Sequence, residues 1–147
     1  MEQRKHPSEM VEVVERRPLT GNESVAEIRH AVRDCLAGLG VDSDLAYDCL
    51  VAVTEACTNA LIHGKRTGAG SVPNISWRID DSQAQFSIED FSRGWPQGDR
   101  LSVVVSEASP VAGRVGGFGL HLMADLMDEV NVSIDAAGTR VTMTKHL

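Results

Sequence analysis

Val25, Ile28, Val32, Leu36 and Leu39 recur at steps of three or four, with Glu27, Arg29, Arg33 and Asp34 set off that line. This is the spacing of one apolar helix face. It predicts a first helix that Asn22 can cap, after a turn at Pro18-Leu19-Thr20-Gly21, and that Gly38 and Gly40 stop. A second helix is expected from about Asp42 or Ser43, with Leu45, Leu50, Val53, Cys57, Ala60 and Leu61 on its apolar side. It should end near Gly64, where glycines and the cations Lys65 and Arg66 suit the region past a helix C-terminus. Alternation then takes over. Val72, Ile75, Trp77 and Ile79, and after them Phe86 and Ile88, mark strands over 72–79 and 83–89, joined by a tight turn at Asp80-Asp81-Ser82.

Leu120, Met123, Leu126 and Met127 mark a third helix. Val130, Val132 and Ile134 mark a strand, and Val141 and Met143 a last one beyond the turn Asp135-Ala136-Ala137-Gly138. Residues 10–14 read as a further strand suited to a sheet edge. Between Asp90 and Gly119 the chain is rich in glycine and proline, and a long loop of that kind is expected to be functional or mobile. A short helix around Leu101–Ser106 is expected to interrupt it. This mix of helices and hairpins predicts an α+β (α/β) two-layer sandwich, with helices on one face of a mixed, mainly antiparallel sheet. Residues 1–8 read as a flexible N-terminus and residues 9–147 as a single domain.

Composition narrows the function classes. Aromatic residues make up only 4% of the chain, so the core must be built from aliphatic side chains and methionine. The net charge of −7 disfavours a phosphate backbone or an anionic membrane as partner, though a local pocket for one small anion remains open. No run of 18 or more apolar residues is present, so no membrane span is expected. The first six residues, Met1 to His6, lead into no apolar segment, so no signal peptide is expected either. Cys35, Cys49 and Cys57 form no CxxC, and an odd count is a poor disulfide framework. Buried small side chains in a reducing cytoplasm are the expected role and location.

Three constellations carry candidate chemistry. Glu55, Asn59 and His63 lie four apart and share one face of the second helix, beside the small residues Ala56 and Ala60. A carboxylate and an amide there could serve as proton acceptor and Mg²⁺ ligand, or form an ordinary solvated face. Asp90 opens the sequence Asp-Phe-Ser-Arg-Gly-Trp after a strand of alternating apolar residues. It could accept a hydrogen bond from a ligand amino group, or simply fold an Asx turn. Finally, Gly113-Arg114-Val115-Gly116-Gly117-Phe118-Gly119 leads into the third helix. Glycines before a helix N-terminus suit a phosphate, and equally a hinge. Neither GxxxxGK[ST] nor a GxGxxG after the first strand is present, which excludes Walker-type and Rossmann sites.

The order of these elements is more telling than any one of them. Glu-x-x-x-Asn on a helix, Asp-x-x-x-Gly after a hairpin strand, Gly-x-Gly opening a helix and Gly138-Thr139 before a last strand together resemble the GHKL ATPase superfamily, over about residues 20–147. Glu-Ala-Cys-Thr-Asn-Ala-Leu-Ile-His-Gly, and Leu-Met-Asp-Glu-Val-Asn-Val before Gly138-Thr139-Arg140-Val141-Thr142-Met143, are similar to the small stand-alone anti-sigma factor serine kinases of that superfamily. The resemblance implies the histidine-kinase-like (Bergerat) ATPase fold, ATP or ADP with Mg²⁺ as ligands, and a lid over about 99–116. It implies Glu55 as general base, Asn59 as Mg²⁺ ligand, and Asp90 as the adenine-binding carboxylate. Gly94 would sit beside the base, Gly117 and Gly119 would offer amides to the phosphates, Thr139 would lie near the adenine, and His63 and Arg114 would complete the nucleotide site. It further implies a partner switch in which a sigma factor or similar regulator is bound and a serine of a STAS-domain antagonist is phosphorylated, with a homodimer as the working form.

The chain departs from the superfamily at Ser92, which stands where the adenine box usually carries its first glycine and leaves less room for φ > 0. A full sensor histidine kinase is not expected, because the first helix is too short and starts too near Met1 to be a paired-helix dimerisation segment. Two other readings stay open: a nucleotide-binding module that sequesters a partner without catalysis, and a detached catalytic domain that phosphorylates histidine.

Overall fold

The computed structural model describes residues 12–67, 72–90, 101–104, 118–135 and 138–147. The elements run β1 (Val13–Pro18), α1 (Asn22–Gly38), α2 (Ser43–Thr67), β2 (Asn74–Ile79), β3 (Gln83–Asp90), β4 (Leu101–Val104), α3 (Phe118–Leu126), β5 (Glu129–Asp135) and β6 (Gly138–His146). The six strands form one sheet in the order β1-β2-β3-β6-β5-β4. Every neighbouring pair among them is antiparallel, so the mixed character allowed for in the sequence is absent among the described strands. The helices cover one face, as expected.

The pleat decides what lies under the helices. Ile75, Trp77 and Ile79 of β2, Ala84, Phe86 and Ile88 of β3, Met143 of β6, and Val130, Val132 and Ile134 of β5 are all buried on that face. Their strand neighbours face the other way and are polar: Ser76, Ser87, Thr142 and Asn131 lie side by side across four strands. A sheet with one apolar and one polar face needs one covering layer, and the helices supply it. From α1 come Val25, Ile28, Val32 and Leu36; from α2, Cys49, Ala52, Val53, Ala56, Cys57 and Ala60; from α3, Leu120 and Met123. By length and composition Ser43–Ile62 would suit a bilayer-crossing helix, but here its apolar side is spent on this core.

Local signals fix the helix ends, with corrections. The structure starts α1 after an N-cap at Gly21 and not at Asn22. Ser24, in the first turn, donates to the Gly21 carbonyl at 2.7 Å and accepts from the Thr20 and Gly21 amides at 3.0 and 3.2 Å. The other end closes in a Schellman motif. Gly40 has φ of 71°, its amide reaches the Ala37 carbonyl at 3.0 Å, and the Val41 amide reaches that of Leu36 at 3.0 Å. Gly38 lies within the helix, so Gly40 is the stop. Asp42 starts α2 by accepting from the Asp44 amide at 3.1 Å, and the backbone of α2 runs on to Thr67, beyond the end expected at Gly64.

Two further expectations are overturned. Leu101–Val104 form no helix but pair with β5 as an edge strand, where Leu101 lies opposite Ile134. Three of those four residues are apolar, and alternation cannot be judged over so short a run. Among the described residues the first strand occupies 13–18, where Val13 pairs with Ile79 and Pro18 with Asn74; residues 10 and 11 of the strand expected over 10–14 lie outside the described residues. Pro18 ends this edge strand, a position where a missing amide hydrogen costs nothing.

The turn between β2 and β3 depends on one carboxylate. Asp81 and Ser82 both have negative φ, so the hairpin lacks the primed turn that normally matches strand twist. Asp80 compensates: its Oδ1 accepts from the Ser82 hydroxyl at 2.7 Å, the Ser82 amide at 2.8 Å and the Gln83 amide at 2.9 Å. Those bonds, the Ser82 hydroxyl first, hold its carboxyl below the usual carboxylate range. A carboxyl lowered on folding stabilises above its unfolded pKa, and that contribution is lost as pH falls through the folded value. Asp80→Ala should therefore cost about 0.5–1 kcal/mol at neutral pH, the side chain being well solvated, and urea titrations should show the gap closing below about pH 4.

The cysteines serve as core atoms. Burial pushes the thiols of Cys49 and Cys57 up to about 12, while Cys35 is partly exposed on α1. At pH 8 a thiol reagent should label Cys35 alone in the folded protein and all three cysteines in denaturant. Rapid labelling of Cys49 or Cys57 without denaturant would show that the helix layer opens.

Candidate functional site

Asp90 is the last residue of β3 and not the first of the following loop. The alternation that buries Phe86 and Ile88 carries one step further and turns Asp90 toward the helices, leaving it 6% exposed. Its cross-strand partner in β6 is Thr139, buried on the same face. Side chains directly opposite on an antiparallel pair have Cβ atoms about 5 Å apart, so this carboxylate and hydroxyl form one polar unit.

That unit closes one end of a pocket between sheet and helices. Its lining is Ile88 and Asp90 from β3, Thr139 and Val141 from β6, Ala56, Asn59 and Ala60 from α2, and Leu120 and Met123 from α3. The cavity itself is small, about 20 Å³ by a water-sized sphere, and it opens toward solvent. The space exists because α2 presents alanines at two positions where a larger residue would fill it. Asn59 lies between them on the helix surface and brings an amide to the same pocket.

The chemistry of the lining, rather than its present volume, suits the edge of a flat heteroaromatic base. Such a ring needs apolar groups against its faces, which Ile88, Val141, Leu120 and Met123 offer, and an acceptor for an exocyclic amino group, which Asp90 offers. The Asn59 side-chain oxygen is a hard donor of the kind Mg²⁺ takes when phosphates and water supply the remaining positions. Among the described residues no group of three or more His, Cys, Asp or Glu could hold a metal.

Of the residues singled out in the sequence, Asn59, Asp90 and Thr139 thus meet in one pocket from three separate elements. Glu55 is half-buried one helical turn before Asn59 and does not line the pocket. His63 belongs to α2 by its backbone, and its side chain lies outside the described residues. Gly119 is in the first turn of α3. Gly94, Arg114 and Gly117 lie outside the described residues, as do Ser92, Trp95 and all of the 99–116 segment except β4.

Sequence reasoning missed the apolar walls as part of the site. Ile88 and Val141 could have been found, since each lies two residues from a site residue on the same strand face. Leu120 and Met123 mark a helix in the sequence, but nothing there says which cavity that helix borders.

Comparison with known proteins identifies the family. Residues 20–145 match the histidine kinase-like ATPase domain. A serine-protein kinase RsbW from Bacillus licheniformis is 35% identical over 134 residues, covering 85% of this chain and 79% of the relative. An anti-sigma F factor from the same species is 32% identical over 131 residues, covering 88% of this chain and 87% of the relative. In three dimensions, a solved structure of RsbU and RsbW domains from Mycobacterium tuberculosis superposes with a TM-score of 0.62 at 21% identity, over 92% of this chain. This chain spans 31% of that longer one, and at such identity the likeness concerns the fold alone. With the order of motifs and the fold in agreement, the chain belongs to the histidine kinase-like ATPase family, among the relatives of RsbW serine-protein kinases and anti-sigma F factors.

Proposed function

We propose that the protein is an ATP- and Mg²⁺-dependent serine kinase of a partner-switching system, acting on a STAS-domain antagonist and binding a sigma factor or similar regulator. One observation carries the reading: Asn59, Asp90 and Thr139, far apart in sequence, line a single pocket whose other walls are apolar. Asp90, with Thr139 beside it, would take the adenine amino group, and Asn59 would hold Mg²⁺ through its side-chain oxygen. Bound ATP supplies the phosphoryl group, and Mg²⁺ neutralises charge on the oxygens around it.

Glu55 acts on the acceptor. Its half-buried position one turn from Asn59 keeps it close to the metal ligand yet open to a protein partner. As the acceptor serine oxygen bonds to phosphorus, its hydroxyl proton passes to the Glu55 carboxylate and ADP is the leaving group. His63, Gly94, Arg114, Gly117 and Gly119 belong to the same proposal as nucleotide contacts. A cytoplasmic location and a homodimer complete it.

Two variants separate binding from chemistry. Asp90→Asn should weaken ATP by about tenfold or more in calorimetry, the worth of a hydrogen bond to a charged group. Unchanged affinity would remove Asp90 from the nucleotide site. Glu55→Gln should bind ATP as wild type does, yet lower transfer to the antagonist serine by about a hundredfold or more, read as acid-stable phosphate on the acceptor. Transfer that survives in Glu55→Gln would show that another group takes the proton.

A further inference from the structure

The helix-facing positions of β6 run Thr139, Val141, Met143 and then Lys145. An apolar residue is expected at the last of these, because its neighbour across the sheet is the fully buried Ala84. Lys145 is instead a cation only 9% exposed. Burying a lysine is costly unless its ammonium is well partnered. Here Nζ donates to the Leu126 carbonyl at 2.6 Å and to Asp48 Oδ2 at 3.2 Å.

These two partners lie on different helices. Leu126 is the last residue of α3, and its carbonyl is among the four that a helix leaves without an internal partner. No basic residue stands in the last turn of α3, so the helix has no cation of its own against the negative end of its dipole. At nine residues it is also too short to be stable alone. Lys145 supplies from β6 what α3 lacks, and its second bond ties the same ammonium to Asp48 of α2.

The three elements joined here are three of the four that wall the pocket. α2 contributes Ala56, Asn59 and Ala60, α3 contributes Leu120 and Met123, and β6 contributes Thr139 and Val141. We infer that Lys145 is a positioning residue for the nucleotide pocket: by holding the C-terminal carbonyl of α3 and Asp48 of α2 from β6, it sets where α3 presents Leu120 and Met123 to the ligand. The inference rests on the nucleotide reading of that pocket. Lys145 is six residues from Thr139 along the strand, roughly 20 Å, so it acts at a distance from the ligand.

The test is nucleotide affinity at a temperature where circular dichroism shows each variant folded. Lys145→Met keeps the apolar stem and removes the cation. It should weaken ATP by about five- to tenfold, at the low end of ordinary site-to-site couplings, and Lys145→Arg should recover most of the loss. Hydrogen exchange should speed up in α3 and not in α1. Ile79→Val, a core truncation in β2, which contributes nothing to the pocket lining, serves as the stability control and should bind ATP like wild type. If Lys145→Met does not fold, Asp48→Asn decides, with a smaller weakening of the same sign expected. Wild-type affinity in Lys145→Met (or in Asp48→Asn, where that variant decides), or an equal loss in Ile79→Val, overturns the inference, because Lys145 would then serve stability alone. Absence of ATP binding by the wild type is a different failure: it removes the nucleotide reading itself, and this inference with it.

Discussion

A six-stranded sheet with one apolar and one polar face must be covered once, and α2 does most of the covering. Its small buried residues, Cys49, Ala52, Ala56, Cys57 and Ala60, let it approach the sheet closely. Larger residues on the strands, Trp77, Phe86 and Met143, fill the space from below. α1 and α3 pack on either side of this helix. The pocket is where the packing is left incomplete: toward the end of α2 the alanines face the ends of the two central strands, where Asp90 and Thr139 follow the last apolar pair, Ile88 and Val141. The same choice of small residues that makes the core dense at one end of α2 leaves room for a ligand at the other.

Much of this was legible in the sequence. Steps of three and four located α1 and the apolar side of α2, and alternation located β2, β3, β5 and β6. The errors fall where local patterns are short or partners distant. β4 has four residues and gains its identity only from pairing with β5. β1 shows its register only through β2. Ser24 displaced Asn22 as the residue organising the start of α1 because one side chain there satisfies three backbone groups. At the site, polar residues at telling spacings could be read directly, whereas the apolar walls could not, since any buried leucine or methionine looks alike in sequence. Lys145 is the converse case: a lysine near the end of a strand reads as surface until the fold puts a helix end over it.

Charge placement follows the same economy. On the open face, Arg140 meets Glu89 at 2.7 Å across β6 and β3, and Arg78 meets Glu12 at 2.9 Å. Solvated pairs of this kind add little stability. The same polar side chains keep the uncovered face wet. Within the core, polar groups are few and mostly satisfied. Trp77 Nε1 is the exception among the described residues, buried without a hydrogen-bond partner, with the Arg17 guanidinium 5.9 Å from the ring. A cation over an aromatic face returns part of that cost.

The strand order has a consequence for how the molecule assembles. β2-β3 and β5-β6 are hairpins of near neighbours in sequence, β1 joins β2 across a longer span, from Pro18 to Asn74, and one pairing, β3 with β6, joins the two hairpins. Closing that pairing spans about fifty residues at Asp90 and Thr139, so its entropic cost is met only after the local hairpins exist. The pocket straddles this seam. It therefore has no precursor in either hairpin, and it comes into being only when that long-range pairing closes.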